Sequence, residues 1–305
     1  MKMDLRKKTL RYMKRRGLAR AEMARLIGQD TALFSKYLDR LRIPPSGTEW
    51  VEASLEAYFY RHEQRERRRP RKFINLLASK LVYERCEEAR AQGELVLLYG
   101  PPGTSKTYTL EEYVRRRTEQ GDEKIIFMTA NPLSTPRALV VGLCKHLGLP
   151  SAKPAHVLVE WVIQKLEADP HLILVDEANH LSVASLELLR HIHDLSHCGM
   201  VLVGTKRLYD LFTNGGRKSQ DLEQLWSRVT VHDLLPGMAP SEVQAIVHSS
   251  MGHVKEDIAE EIQKTSKGSI RRLTKLTTRL KRLQELNPDT PLEKLVPIAA
   301  GQIVA

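Results

Sequence analysis

Gly100, Lys106 and Thr107 stand in the run LVLLYGPPGTSKTYTLEEYV, which begins at Leu95. Their types and spacing suit the cradling of a multiply charged anion. The run reads as a buried strand, a tight Gly/Pro turn and the start of a helix. Backbone N–H groups in such a turn, together with a helix N-terminus, surround phosphate oxygens. Gly100 and Gly103 let the chain turn sharply, a lysine at 106 reaches β- and γ-phosphates, and a threonine hydroxyl at 107 can sit on Mg²⁺. The spacing G-x-x-x-x-G-K-[ST] is met except at Ser105, which stands where the second glycine belongs. A non-glycine residue in glycine's conformation costs on the order of 1–2 kcal/mol, small beside several phosphate contacts. The substitution weakens the match without forbidding the chemistry. The expected cradle is Gly100, Pro101, Pro102, Gly103, Thr104, Ser105, Lys106, Thr107 and Tyr108.

A second motif changes the weight of the first. HLILVDEANH places Asp176 and Glu177 at the end of a buried strand, well downstream. Asp176 is expected to hold Mg²⁺, directly or through water, and Glu177 to polarise an attacking water. Two acids ending a strand are common in isolation. A strand–loop–helix followed in order by an apolar strand ending in Asp-Glu is not, so ATP and Mg²⁺ are the expected cofactors and ATP hydrolysis the expected activity. One other cluster, HIHDLSHC, offers His191, His193, His197 and Cys198. On a helix only His193 and His197 share a face. No second cluster supplies the missing ligands, so no metal site is expected there.

The elements that must position these residues follow from periodicity. Short apolar runs at ELVLLY, KIIFMTA, HLILVDEA, MVLVGT and VTVHDLL alternate with amphipathic helical stretches between residues 73 and 236. That alternation predicts an α/β core with a parallel five-stranded sheet and helices on both faces. Residues 237–305 are expected to form a small helical lid, with Ser241 as the N-cap of its first helix. Residues 1–60 are helical in pattern, and RHEQRERRRPRK, residues 61–72, reads as a basic linker closed by Pro70. Within the first segment, LARAEMARLIGQDTALFSKYLDRL has helix-turn-helix spacing. AEMARLIG is the first helix, Gly28 the turn and TALFSKYLDRL the recognition helix. Ala24, Leu26, Ile27, Leu33, Phe34 and Leu38 are the expected core; Thr31, Ser35 and Lys36 face outward. A protein-binding module of the same shape is the alternative.

Charge favours DNA. Residues 1–72 hold 20 Lys/Arg against 9 Asp/Glu, while the remainder holds 28 of each, so the formal net charge of +11 belongs to the N-terminal quarter. Such asymmetry points to a polyanion partner. Lys14, Arg15, Arg16 and the Arg65–Lys72 run suit phosphate contacts that read no sequence. No apolar run approaches the length of a membrane span, and the N-terminus lacks a signal-peptide core. Cys86, Cys144 and Cys198 form no C-x-x-C pair. A cytoplasmic setting is expected.

The motifs resemble those of the AAA+ P-loop ATPases. Thr205, ending MVLVGT, matches the polar sensor 1 position of that family. Arg228 in LWSRV matches its trans-acting arginine finger, and Arg271 in GSIRRL its sensor 2 arginine. The bland alternatives are a strand end for Thr205, a surface cation for Arg228 and a basic helix face with Arg272 and Lys275 for Arg271. The order of helix-turn-helix, basic linker, short AAA+ core and lid is similar to that of the transposition ATPases of the Mu B, Tn7 and IS21 type. LILVDEANHLSVASLELLRHIHDLS, MVLVGTKRLYDLF, the Lys206–Arg207 pair and Gly215–Lys218 carry that likeness. The resemblance implies ATP-dependent assembly on double-stranded DNA as a homo-oligomeric ring or helical filament, selection of an insertion target and stimulation of a transposase. It places Arg137, Lys206 and Arg207 among the DNA contacts. Two alternatives stand beside it. One is a helicase-loader or initiator-like ATPase. The other is a nucleotide-gated DNA-binding regulator without significant turnover, which Ser105 favours.

Overall fold

The computed structural model describes residues 5–67, 76–213, 222–252 and 254–302. Two compact units interleave along the chain. One comprises Met1–Pro70, Lys124–Ile173 and His180–Cys198; the other comprises Arg71–Glu123, Leu174–Asn179 and Gly199–Ala305. The sheet has strand order β2-β3-β4-β1-β5. Here β1 is Leu95–Tyr99, β2 Ile125–Thr129, β3 Leu172–Asp176, β4 Met200–Gly204 and β5 Val229–Leu234. All five lie where the apolar runs predict them.

In the second unit β1 pairs in parallel with β4 on one side and β5 on the other. All of β4 and the first four residues of β1 are buried, as continuous Val/Leu runs demand of central strands. β5 alternates half-buried and exposed residues along its length, as an edge strand does. Helix α5, Leu77–Gln92, ends on Gly93 at φ 66°, a left-handed cap that glycine adopts cheaply. It packs closely on the start of β4: a Cβ at Gly199 would lie 2.2 Å from the Ala89 carbonyl oxygen. Helix α6, Lys106–Glu119, follows the loop after β1.

The first unit contains α1 (Leu5–Arg16), α2 (Arg20–Leu26), α3 (Thr31–Leu38) and α4 (Pro45–Arg67), then β2, α7 (Pro136–Leu147), α8 (Ala155–Ala168) and α9 (Val183–Ser196). Gly28, at φ 65°, lies in the turn between α2 and α3, and Asp30 caps α3 by accepting from the Leu33 N–H at 2.8 Å. Ala24, Ile27, Phe34 and Leu38 are buried as expected, joined by Met23, Tyr37, Val51, Leu55 and Phe59. Leu33 is only partly buried, and Leu26 is 47% exposed. The helix ends at Leu26, which turns that side chain away from the cluster. The boundary expected at residue 60 falls inside α4, which packs on α7. Tyr60 meets the His146 ring edge-on at 5.0 Å, and Trp50 lies 5.7 Å from Trp161 on α8. Of the basic linker, residues 68–72 lie outside the described residues, as does Gly215–Lys218.

Beyond the short helices α10 (Lys206–Thr213) and α11 (Glu223–Trp226), four helices follow β5: α12 (Pro240–Met251), α13 (Glu256–Ser266), α14 (Ile270–Leu286) and α15 (Leu292–Gly301). They share one apolar cluster with Leu76 and Met238. Ser241 is not the N-cap of α12. The helix begins one residue earlier at Pro240, whose fixed φ suits the first helical position, and Glu242 reaches back to the Ala239 N–H at 2.7 Å.

Candidate nucleotide site

The loop after β1 sits at the carboxyl end of the strands, where open α/β sheets bind ligands. The Gly100 N–H donates to the Gly204 carbonyl of β4 at 3.2 Å, which ties the first loop residue to the neighbouring strand end. A Cβ at Gly100 would lie 2.8 Å from the Leu235 carbonyl oxygen. Gly103 has φ 89°, and a Cβ there would lie 2.1 Å from the Ser269 Oγ that caps α14. Glycine is therefore required twice, by close approach at 100 and by both angle and approach at 103. The Ile270 N–H donates to the Gly103 carbonyl at 3.0 Å, so the lid helix is hydrogen-bonded directly to the loop.

Ser105 occupies φ 65°, ψ 16°, the left-handed conformation that its place in the motif demands. Its hydroxyl is buried without a hydrogen-bond partner among the described residues. Lys106 follows, only 7% exposed, and its ammonium donates to the Gly100 and Pro101 carbonyls at 3.0 and 2.8 Å. Burial pulls its pKa below the ordinary lysine value; Glu177 and Asp176 oppose that and Arg271 adds to it. The Thr107 hydroxyl donates to Asp176 Oδ2 at 2.5 Å. Asp176 is 1% exposed, and burial raises its carboxyl above the usual range; the Thr107 hydroxyl and Glu177 N–H pull it back. Glu177 takes φ 53° and donates its N–H to the Asp176 side chain at 2.9 Å. Two non-glycine residues, Ser105 and Glu177, thus hold positive φ within the expected machinery. Such strain of about 1–3 kcal/mol each concentrates where a site dictates geometry.

Thr205 follows β4 at the same sheet end, because Gly204 lies beside Tyr99 in register. Its N–H donates to Asn179 Oδ1 at 2.9 Å. Asn179, 8% exposed, is a positioning residue that the sequence reading did not single out. Its signal was weak: one amide in the turn after the acidic pair, with nothing to say that it reaches β4. Arg271 is exposed in the first turn of α14 and near enough to act on Lys106.

Arg228 is not in this group. Val229 pairs with Leu95, so Arg228 lies where β1 begins, whereas the loop lies where β1 ends. The two are separated by roughly 15 Å of strand. Of the expected DNA contacts, Lys206 and Arg207 are exposed in the first turn of α10, with Lys206 3.3 Å from Asp210. Lys36 on α3 and Arg137 on α7 are exposed in the other unit, and Arg137 donates to the Lys153 carbonyl at 3.2 Å. The histidine cluster holds no metal-type group among the described residues. His193 is buried with Nδ1 2.9 Å from the Cys198 carbonyl, while His197 leaves the helix at φ 50° and is exposed.

The model of an AAA domain matches residues 89–212, from the end of α5 through α10. The DNA transposition protein B of the Mu-like prophage FluMu of Haemophilus influenzae is 26% identical over 264 residues, 84% of this chain and 89% of that protein. Residues 89–212 are thus similar to an AAA domain, and the chain is similar over most of its length to a Mu-type transposition protein B. The ATP-dependent target DNA activators B of Escherichia phages Mu and D108 are each 26% identical over 201 residues, 65% of this chain and 62% of those proteins. Domain III of the Thermotoga maritima replication initiation protein DnaA superposes with a TM-score of 0.48 at 15% identity, over 73% of this chain and 92% of that one. The matched segment contains every expected nucleotide-site residue except Arg228 and Arg271, which lie beyond it.

Proposed function

We propose that this chain is an ATP-dependent, DNA-binding AAA+ protein that assembles on double-stranded DNA, selects target DNA and activates a partner transposase in DNA transposition. The observation that carries the reading is the Thr107–Asp176 contact of 2.5 Å beside a buried Lys106. It joins the two sequence motifs into one site, in a chain whose relatives are named ATP-dependent target DNA activators.

The residues fit Mg²⁺ and ATP. A hydroxyl and a carboxylate side by side are hard oxygen donors of the kind Mg²⁺ takes. A loop that excludes a Cβ at two positions leaves its backbone open to phosphate oxygens. Bound there, Mg²⁺ would neutralise charge developing on the phosphates. The Lys106 ammonium, already stripped of water, exchanges loop carbonyls for phosphate oxygens. The first-turn N–H groups of α6, which have no intrahelical partner, point the same way. Glu177 accepts a proton from the attacking water, Thr205 orients that water while Asn179 holds its backbone, and Arg271 brings the lid's charge to the phosphates.

Arg228 sits at the far end of the sheet from its own loop, so it completes the site of a neighbouring subunit. ATP therefore favours a homo-oligomer, a ring or a helical filament, and hydrolysis loosens it. DNA contacts through Lys36, Arg137, Lys206 and Arg207 are to phosphates and weakly sequence-selective. Action is cytoplasmic; among the described residues no helix is long and apolar enough to cross a membrane.

The test is Glu177→Gln. The variant is expected to bind ATP as the parent does, to turn over about 100-fold or more slowly, and to leave long-lived assemblies on DNA in electron micrographs. Rapid disassembly by the variant would remove Glu177 from this role. ATP binding without turnover in the parent, with and without DNA, would favour the nucleotide-gated regulator.

A further inference from the structure

Arg228 is carried by a support built more firmly than an exposed cation needs. It lies in the second unit, two residues past the short helix α11, at the end of the sheet away from its own loop. Three successive hydrogen bonds close the backbone there. The Trp226 N–H donates to the Leu222 carbonyl at 2.8 Å, the Ser227 N–H to that of Glu223 at 2.9 Å and the Arg228 N–H to that of Leu225 at 3.0 Å. Leu222 and Leu225 are both buried, which pins this turn to the body of the unit.

Two side chains complete the support. Trp226 stacks on the buried Phe212 ring, with centroids 5.4 Å apart and planes at 26°, and lies 5.2 Å from the His232 ring of β5. One indole thereby joins α10, α11 and β5 by contacts of a kind that adds to the area buried. Ser227 Oγ donates to the Gln224 carbonyl at 2.7 Å and accepts from the Arg228 guanidinium at 3.3 Å. Its single proton goes to the backbone, so its lone pairs face the arginine. On the other side of Arg228 the strand is irregular. Leu95 pairs with Val229 and Val96 with Val231, which makes Thr230 an extra residue. Bulges are rare between parallel strands, and they re-aim side chains beside functional sites. The turn, the indole, the hydroxyl and the bulge converge on one exposed guanidinium. A long side chain loses freedom when it docks, and one already braced loses less.

We propose that Trp226 and Ser227 are positioning residues for Arg228, and that they hold its guanidinium toward the triphosphate bound by a second copy of this chain. The proposal rests on the reading of Arg228 as the group that completes a neighbour's site. Trp226 sets where the turn lies, and Ser227 sets which way the guanidinium points. Ser227 adjoins Arg228 at the sheet end away from its own loop, so its effect on turnover must pass through a neighbour.

The experiment measures ATP turnover by the full chain on duplex DNA across a Mg·ATP series. Arg228→Ala is expected to slow turnover by about 10³-fold, the lower end for an arginine supplied in trans. Ser227→Ala is expected to lower kcat about three- to tenfold, the size of one hydrogen bond at a transition state, with KM and melting temperature as in the parent. Ser227→Thr keeps the hydroxyl and is expected to match the parent. Trp226→Leu is expected to slow turnover more than Ser227→Ala. Each slow variant is then mixed with an excess of Glu177→Gln chains, in which the support of Arg228 is intact. Turnover per variant chain is expected to rise to that of parent chains in the same mixture, because the neighbour now supplies the arginine. A loss that the mixture does not restore is internal to the fold and overturns the role of that residue. Parent-like turnover of Ser227→Ala and Trp226→Leu beside a slow Arg228→Ala overturns the proposal alone. Parent-like turnover of Arg228→Ala overturns the reading of Arg228 itself, and the proposal with it. If the parent binds ATP without turnover, ATP-dependent assembly on duplex in sedimentation decides instead. Assembly weakened in both Arg228→Ala and Ser227→Ala supports the proposal; assembly weakened in Arg228→Ala alone overturns it.

Discussion

The loop after β1 and the basic N-terminal helices are both proposed to offer positive charge to phosphate, and they are built in opposite ways. In the loop the cation is buried, its neighbours are fixed by backbone hydrogen bonds, and glycine is demanded by contacts of 2.8 and 2.1 Å that a side chain would make. In the N-terminal helices most cations are exposed long side chains, and the geometry is carried by a small apolar cluster beneath them. A preorganised buried site concentrates its free energy in a few groups, whereas an exposed basic surface spreads it over many screened contacts. The same substitution, a lysine removed, should therefore cost very different amounts in the two places.

The contrast is broken most directly at Lys106. Lys106→Ala removes a desolvated charge from the phosphates, on the order of 3 kcal/mol or about 100-fold in nucleotide affinity. ATP-dependent assembly on DNA should vanish in sedimentation; an unchanged profile would place the switch elsewhere. Gly103→Ala comes next. The new Cβ meets the cap of α14 at an angle alanine resists, for about 2 kcal/mol. The expected sign is faster hydrogen exchange at the Ile270 N–H, with turnover reduced, and protection equal to the parent would mean that the lid yields without cost. Ser105→Gly runs the other way. It relieves left-handed strain of about 1–2 kcal/mol while adding unfolded-state freedom of about 0.4–1 kcal/mol, so the melting temperature should rise by a few degrees at most. A fall would show that the buried serine hydroxyl contributes more than the strain removes. Smallest is Lys36→Gln, expected to weaken duplex binding less than about threefold at moderate salt. A loss near that of Lys106→Ala would erase the distinction between the two regions.

Much of this was legible before any coordinates. The five apolar runs became the five strands, because central parallel strands are buried on both faces and have no polar alternation to confuse them. Ser105 was read as a residue forced into glycine's conformation, and φ 65° is what the chain adopts. The last helix of the expected lid, α15, has Pro297 inside it and holds through Leu295, Val296 and Ala299, which are buried. Ser241 was misplaced as a cap because serine's preference for that position was weighed above proline's fit one residue earlier. Leu26 was assigned to the core on spacing alone, which cannot show where a short helix stops.

The amino-acid sequence by itself determined which residues have the types and spacing on which the proposed triphosphate site rests, since those lie along one strand–loop–helix and one strand end. It also determined where the net positive charge lies. The tertiary structure alone decided the partnerships between distant segments. Thr107 meets Asp176 across 69 positions, Asn179 holds the backbone of Thr205, and the first turn of α14 is bonded to the loop at Gly103. It alone put Arg228 at the opposite end of β5 from the loop. The reason is range. Local pattern encodes backbone conformation and burial, while the meeting of side chains remote in sequence is set by strand register and helix packing.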